Sequence, residues 1–546
     1  MWLEKINPFT RRDLFRGSGW AAAWGLWPGA RALAAPPALR LGPDIYGSIG
    51  VRPLINCKGT FTIVSGSLIL PEVRKAMEEA SRRYVHLDEL MEAVGARLAE
   101  ITRAEWGIVT AGCAAALTHV TAACIAGADP EKMQRLPYLA GLKSEVIMPR
   151  NSRNVYDHAI RMLGVKIVEV ETREEYLAAL NEKTALVCLL GGNGDKFLEE
   201  IAGAARTQGV PIVVDAAAEH LTIPNVHLER GATMVAYSGG KCIRGPQCAG
   251  LLLGPKDLLQ AAWLNSAPHH AFGRSMKVGK EEIIGMLAAV EAWAKRDHQA
   301  EWKTWESWLN HISERVGRLP SVTTEVLQPR GLSNRAPRLR IAWDAARLGI
   351  RGDQVEKVLY DTDPRIVLGG STGGSRSSDQ SSVTIMPYMM VAGDEKIVAN
   401  RLHEVLSRPP SLAKPAKAGG PRAAIAGQWD LRIDFVRGST AHGLFLEQDG
   451  ENLTGSHRGD LLAGDLRGRV EGSRVEFESS FRYEGTRLSY KFAGAVEGST
   501  AMSGTVELGE YGSARWKAGR HQYGQPGGLV QPQKNEIGRA SCRERV

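Results

Sequence analysis

The sequence predicts an α/β architecture: a large unit on a mainly parallel sheet, a smaller α/β unit, and then an antiparallel all-β domain. Three observations carry this. From about residue 45 to 300, short β-like runs alternate with amphipathic helical stretches, the pattern of a parallel sheet covered on both faces. Residues 408–425 are rich in Pro, Ala and Gly, the composition of a linker. Beyond them, short strands are separated by Gly-rich turns. A chain of 546 residues with 43% hydrophobic and 23% charged content is neither disordered nor fibrous, and it exceeds the ~250–300 residues at which single cores stop growing.

The N-terminal segment, 1–35, carries Thr10-Arg11-Arg12-Asp13-Leu14-Phe15, a weakly apolar stretch from Gly19 to Leu26, and Ala32-Leu33-Ala34. It resembles a twin-arginine export signal, so a periplasmic or exported protein is expected. The apolar run is too short to span a bilayer, and no other stretch approaches ~18 apolar residues. The formal charge of +8 invites a nucleic-acid or membrane reading. The signal-like segment holds +3 of it and the last eleven residues +1, leaving +4 on the body. That is an ordinary globular surface. Residues 524–546 are expected to form a disordered tail, and Glu536 to Val546 resemble the in-frame translation of a sequencing-library adapter.

Six of the seven cysteines, Cys57, Cys113, Cys124, Cys188, Cys242 and Cys248, lie in the large unit; the seventh is Cys542. No C-x-x-C pair or His cluster has zinc spacing, so no metal is expected. Apolar surroundings make buried free thiols the expected state for most of the six.

The large unit is bounded at 45–317. Its strands are expected at Trp106–Thr110, Lys166–Val170, Ala185–Leu190 and Pro211–Asp215, with helices over 171–181 and 198–208. One long helical segment, 280–316, presents Trp293, Trp302, Trp305 and Trp308; their spacing reads as packing or a subunit contact rather than a ligand box. Residues 318–407 form the smaller α/β unit. In the last domain, 426–523, strands are expected at Leu444–Gln448, Val475–Glu478 and Leu488–Phe492. Gly468-Arg469-Val470-Glu471-Gly472-Ser473 nearly recurs as Gly494-Ala495-Val496-Glu497-Gly498-Ser499, an echo that suits hairpins in a small barrel or sandwich. Its function is open between accessory binding, assembly and a structural add-on.

Two segments carry chemistry. Val213-Val214-Asp215 ends a hydrophobic strand with a carboxylate at the edge where open α/β sheets bind ligands. Some twenty residues on, Met234 to Ser238 runs into Gly239-Gly240, presents Lys241, and continues through Gly245-Pro246-Gln247-Cys248-Ala249-Gly250. A lysine for a Schiff base and a carboxylate against a pyridine nitrogen are what pyridoxal phosphate (PLP) requires. Glycines beside the lysine let backbone approach closely. Upstream, Thr110-Ala111-Gly112-Cys113-Ala114 opens an Ala-rich helix whose N-terminus suits a phosphate, and Ser238 is a natural side-chain donor to the same group.

The lysine loop, Ser238 to Lys241 with Gly245 to Gly250, resembles that of the selenocysteine synthase-like branch of fold-type-I PLP enzymes, including the D-glucosaminate-6-phosphate ammonia-lyase type. Arg52-Pro53-Leu54-Ile55-Asn56-Cys57-Lys58-Gly59-Thr60, Tyr84-Val85-His86-Leu87-Asp88-Glu89-Leu90 and Asn154-Val155-Tyr156-Asp157-His158 add to the resemblance. It covers roughly 45–407 and excludes the signal and the β-rich domain. It implies an aminotransferase-like large domain with a small α/β domain, and a homodimer or larger homo-oligomer. Lys241 would hold the Schiff base and shuttle the α-proton, and Asp215 would pair with the pyridinium. Gly112, Cys113, Ala114 and Ser238 would cradle the phosphate. Gly245, Pro246 and Gln247 would lie near a neighbouring subunit's cofactor, and Asn193 would contact the ring oxygen. Arg338 or Arg340 would clamp a substrate carboxylate, Arg150 and Arg153 would serve a phosphorylated substrate, and His86 and His158 are either acid/base groups or structural.

Transfer-RNA chemistry is disfavoured. The body has no concentrated basic run, an export signal stands where a tRNA-binding region would, and exported protein would not meet charged tRNA. The expected activity is α,β-elimination with ammonia release from a small amino acid or amino-sugar acid. The alternatives are transamination, racemisation or retro-aldol cleavage, or a vestigial site beside a β-domain that binds a partner or glycan.

Overall fold

The computed structural model describes residues 39–372, 380–410, 422–461 and 463–523. The export-like signal, Cys542 and the tail 524–546 lie outside them. The chain divides into two compact units, up to Ile55 and from Asn56 onward. Among the described residues of the first, a 3-10 turn spans Gly47–Ile49. Everything below belongs to the second.

Seven strands form the central sheet: β1 (Trp106–Thr110), β2 (Glu145–Pro149), β3 (Lys166–Val170), β4 (Thr184–Leu190), β5 (Ile212–Asp215), β6 (Met234–Ser238) and β7 (Gly250–Gly254). Their order is β1-β7-β6-β5-β4-β2-β3. Strands β3, β2, β4, β5 and β6 pair in parallel, and β7 runs antiparallel to both β6 and β1. The expected mainly parallel sheet is therefore present. Its centre is buried on both faces, as the unbroken apolar runs in β4 and β5 require.

Helix α1 (Cys113–Ala126) follows β1 and is apolar around its whole circumference, so it lies buried against the sheet. The long helical segment proves to be two helices, α2 (Lys280–Lys295) and α3 (His298–Val316). Arg296 is extended, and the Asp297 carboxylate accepts from the backbone N–H groups of Gln299 and Ala300. That cap starts a new helix where side-chain periodicity alone reads as continuous.

The smaller unit holds a four-stranded antiparallel sheet of β8 (Val322–Leu327), β9 (Arg338–Asp344), β10 (Gly370–Thr372) and β11 (Gln380–Ile385), in the order β10-β11-β9-β8. The last domain is a closed barrel rather than a sandwich. Its eight strands are β12 (Gly427–Asp434), β13 (Ser439–Asp449), β14 (Asn452–Arg458), β15 (Ala463–Glu471), β16 (Arg474–Tyr483), β17 (Thr486–Glu497), β18 (Ala501–Glu507) and β19 (Ser513–Arg520). Strict alternation fills the interior, with Trp429, Leu431 and Ile433 inside and Asp430 and Arg432 outside. Pairing of β19 with β12 leaves no edge. The sequence echo marks two equivalent hairpin ends, β15–β16 and β17–β18. In the second, Gly494 makes room for the buried Trp516 ring, which a Cβ there would meet at 2.7 Å.

Candidate active site

Three strand ends converge on one edge of the sheet. Asp215 ends β5, Ser238 ends β6, and α1 opens three residues after β1. Gly112, at φ +92° and ψ 165°, turns the chain from β1 into α1 in a conformation open only to glycine. No side chain caps the helix, and its first turn carries no acid. The N–H groups of Cys113 and Ala114 therefore stand at a bare, positively polarised helix start, and a Cβ on Gly112 would meet nothing within 4 Å. That is a backbone cradle suited to a phosphate.

Asp215 is buried, 5% exposed. Its Oδ1 accepts from the Ala217 N–H at 3.1 Å and from the Cys113 thiol at 3.4 Å. Burial pushes its carboxyl up from the usual range, and the Ala217 N–H, the thiol and the Lys241 charge pull it back. Burial, together with the adjacent carboxylate, holds the Cys113 thiol protonated. Two weak donors leave a buried carboxylate short of compensation, which a cationic ring nitrogen would supply. The residues present fit PLP.

Lys241 is half-buried and makes no ion pair or hydrogen bond through its ammonium among the described residues. The Tyr156 ring centroid lies 6.0 Å from its Nζ. The glycine loop folds back beneath it. Gly239 N–H donates to the Ala249 carbonyl and Gly245 N–H to the Gly239 carbonyl, both at 2.8 Å. Gly240 lies against Gln247, whose Cα a Cβ on Gly240 would meet at 2.5 Å. Gly245 and Gln247 thus support the lysine turn within this chain. Beyond it, the Cys242 thiol donates to the Glu219 carbonyl at 2.9 Å, and Arg296 donates to the carbonyls of Cys242 and Ile243.

Other sequence candidates lie elsewhere. Asn193 exchanges hydrogen bonds with Asn151, each donating to the other's carbonyl. With Arg150 and Lys196 it lines an open groove of the same sheet edge. Arg150 pairs with Glu169 and Glu171. Arg153, expected to serve a phosphorylated substrate, has a side chain only 2% exposed that pairs with Asp157 at 2.6 Å, with Glu169, and with Glu484 of the barrel. Three carboxylates contact its guanidinium, one at each nitrogen, and neutralise it within the chain. His86 and His158 are exposed; His86 stands 4.0 Å from Asp88 at the start of a helix. On β9, Arg340 is exposed, whereas Arg338 is half-buried with its Nε lacking any partner among the described residues.

Three features were not assigned from sequence. Tyr156 belongs to the Asn154–His158 motif, and the resemblance implies no role for it. Tyr388 accepts from the Thr60 N–H at 3.2 Å and donates to the Asn334 Oδ1 at 2.8 Å, bracing the small unit against the large one. Beside the lysine loop, a cavity of about 230 Å³ is lined by Trp293, Trp302, Trp305, Tyr388, His220 and Arg244, among others. Of the four tryptophans whose spacing reads as packing or a subunit contact, Trp293, Trp302 and Trp305 line that cavity. Burial, with the nearby His298 and arginines, lowers His220 to about 4. All six cysteines of the large unit are free.

No family model matches the chain. A D-glucosaminate-6-phosphate ammonia lyase from Salmonella typhimurium is 28% identical over 378 residues, 66% of this chain and 98% of that protein. A 5'-C-glycyluridine monooxygenase-decarboxylase from a Streptomyces species is 29% identical over 299 residues, 52% of this chain and 73% of that protein. An L-seryl-tRNA(Sec) selenium transferase from Proteus mirabilis is 24% identical over 281 residues, 44% of this chain and 56% of that protein. Among solved structures, that of D-glucosaminate-6-phosphate ammonia-lyase matches with a TM-score of 0.59 at 27% identity, covering 67% of this chain and 99% of that one. With the mainly parallel sheet and the strand-end geometry already described, these similarities make the chain an enzyme of PLP fold type I that is similar to the selenocysteine synthase-like branch of that fold.

Proposed function

We propose that the protein is a PLP-dependent lyase that releases ammonia from a small amino acid or amino-sugar acid by α,β-elimination. The observation that carries this is the convergence of Asp215, the bare start of α1 and the unpaired Lys241 on one sheet edge. The 28% identity to an ammonia lyase across 98% of its length supports the reaction class. When bound, PLP supplies an electron sink conjugated to the substrate's α-carbon. The N–H groups of Cys113 and Ala114 and the Ser238 hydroxyl would hold its phosphate. Asp215, hydrogen-bonded by the Cys113 thiol, would keep a proton on its ring nitrogen. Lys241 would be the attachment point and, through Nζ, the base that takes the α-proton. Arg338 is the better placed of the two arginines for a substrate carboxylate, because its buried Nε has no partner among the described residues. Borohydride should trap PLP on the wild-type chain and not on Lys241→Ala; an adduct surviving in the variant would overturn the assignment. Amino-acid and amino-sugar-acid panels assayed for ammonia and oxo-acid test the reaction, and product without oxo-acid would exclude the lyase.

The protein is proposed to be exported through the Arg11-Arg12 signal, and Arg11→Lys with Arg12→Lys should retain it in the cytoplasm. It works as a homo-oligomer on a small molecule, without nucleic acid. Supporting assembly, Ile63 is 89% exposed and Tyr84 fully so, with Phe61 and Leu68 also open to solvent.

A further inference from the structure

The barrel touches the large unit at a telling place. The turn between β16 and β17, Glu484–Gly485, rests on the segment Arg153–Asp157. Glu484 adopts a left-handed backbone, φ +52°, and its carboxylate pairs with the buried Arg153. Gly485 lies so close that a Cβ there would stand 2.5 Å from the Asn154 carbonyl carbon and 2.6 Å from the Asp157 Oδ2. Those two contacts bracket Tyr156. The tyrosine sits on a 3-10 turn, Val155–Asp157, capped by Asn154, whose Oδ1 accepts from the Tyr156 N–H at 2.7 Å. Its ring reaches to 6.0 Å from the Lys241 Nζ. An unbroken path of contacts therefore runs from the barrel tip, through both flanks of one short turn, to the lysine.

We propose that the barrel is a part of the active-site scaffold, its Glu484–Gly485 tip acting as a positioning element that holds Tyr156 against Lys241. The ammonium's surroundings then depend on whether the barrel is docked. Only glycine fits at the tip, because any side chain would drive into the Asn154 backbone. The inference rests on the assignment of Lys241 as the reacting lysine, and the test below separates failure of one from failure of the other.

The test uses the full chain in four forms: wild type, Glu484→Gln, Tyr156→Ala and the double variant, with Gly485→Val as a second tip variant. In cofactor-free protein, hydrogen exchange of residues 153–158 should quicken at least about tenfold in both tip variants, since amides there lose their cover. The rate at which an amine-specific acylating reagent labels Lys241, read by mass spectrometry, should change severalfold in the tip variants. In the Tyr156→Ala background the Glu484→Gln change should add nothing, because the tip acts through the ring. Glu451→Gln, at the opposite mouth of the barrel, should leave all readouts alone. Unchanged exchange at 153–158, or a tip effect that adds fully to Tyr156→Ala, would overturn the proposal. Absence of a borohydride-trapped adduct in wild type would instead overturn the lysine assignment, and the exchange result would still stand.

Discussion

Replacing Arg153 by methionine distinguishes a structural from a substrate-binding role for this residue. Its side chain is 2% exposed, and Asp157, its partner at 2.6 Å, is fully buried. Removing one member of a buried pair costs about 3–5 kcal/mol, because the other charge is left without compensation. Here Arg161 remains 3.0 Å from the Asp157 Oδ1, which places the loss from that pair near the lower end, about 3 kcal/mol. Glu169 and Glu484 are about a third exposed, so water screens them and each adds at most about 1 kcal/mol. The expected destabilisation is therefore about 3–5 kcal/mol. Equilibrium urea unfolding of Arg153→Met, Asp157→Asn and the double variant measures it. The double variant should lose less than the sum of the singles, by at least about 1 kcal/mol. A variant as stable as wild type with weakened binding of a phosphorylated substrate would refute the reasoning and restore Arg153 to the substrate.

Three further outcomes follow from single groups. His457 is fully buried in the barrel and lowered to about 3, by burial first and then by His442. Because that lies below the ~6.5 of an unfolded histidine, the unfolded chain binds a proton the folded chain refuses. Stability is full above about pH 6.5 and should fall by roughly 2–3 kcal/mol by about pH 4.5; urea unfolding across pH should show this, and His457→Gln should have a shallower acid limb. An equally steep limb in the variant would exclude the histidine. Asp215→Asn should weaken PLP retention about 10–100-fold in equilibrium dialysis, the worth of one charged hydrogen bond (about 1.5–3 kcal/mol), and unchanged retention would remove Asp215 from the site. Gly112→Ala should cost about 1–3 kcal/mol in stability from backbone strain, and a neutral result would contradict the observed turn.

What was legible in the sequence is what depends on neighbours along the chain. Asp215 and Lys241 stand out because each closely follows or ends a strand signal, and the mainly parallel sheet follows from the β/α alternation, whereas the strand order and the antiparallel β7 do not. The Cys113–Asp215 hydrogen bond joins residues 102 positions apart, and nothing in the sequence around Cys113 gives its thiol that partner. Arg153 shows the same limit more sharply. Sequence supplies the charge and not its neutralisers, one of which, Glu484, lies 331 positions away in another domain. Barrel and sandwich share one strand pattern; what separates them is the β12–β19 closure, for example Asp430 opposite Gly519. The break between α2 and α3 carried a local signal, Asp297 two residues before Gln299, but apolar periodicity on both sides hid it.

That break also explains how the cavity and the lysine loop are tied. A continuous helix would carry Trp293, Arg296 and His298 around its surface in different directions. The extended Arg296 instead lets Trp293 and His298 pack together, ring centroids 4.4 Å apart, with His220 against both. The Trp293 indole N–H donates to the Leu221 carbonyl at 2.8 Å, just past the segment that leaves β5. Arg296 reaches the other way, to the carbonyls of Cys242 and Ile243 immediately after the lysine. One interhelical turn therefore anchors the chain downstream of Asp215 and the chain downstream of Lys241 at once. Two strand-end residues that must keep a fixed separation are held by the same few side chains, and a helix break that looks like a flaw in the pattern becomes the joint that sets their spacing.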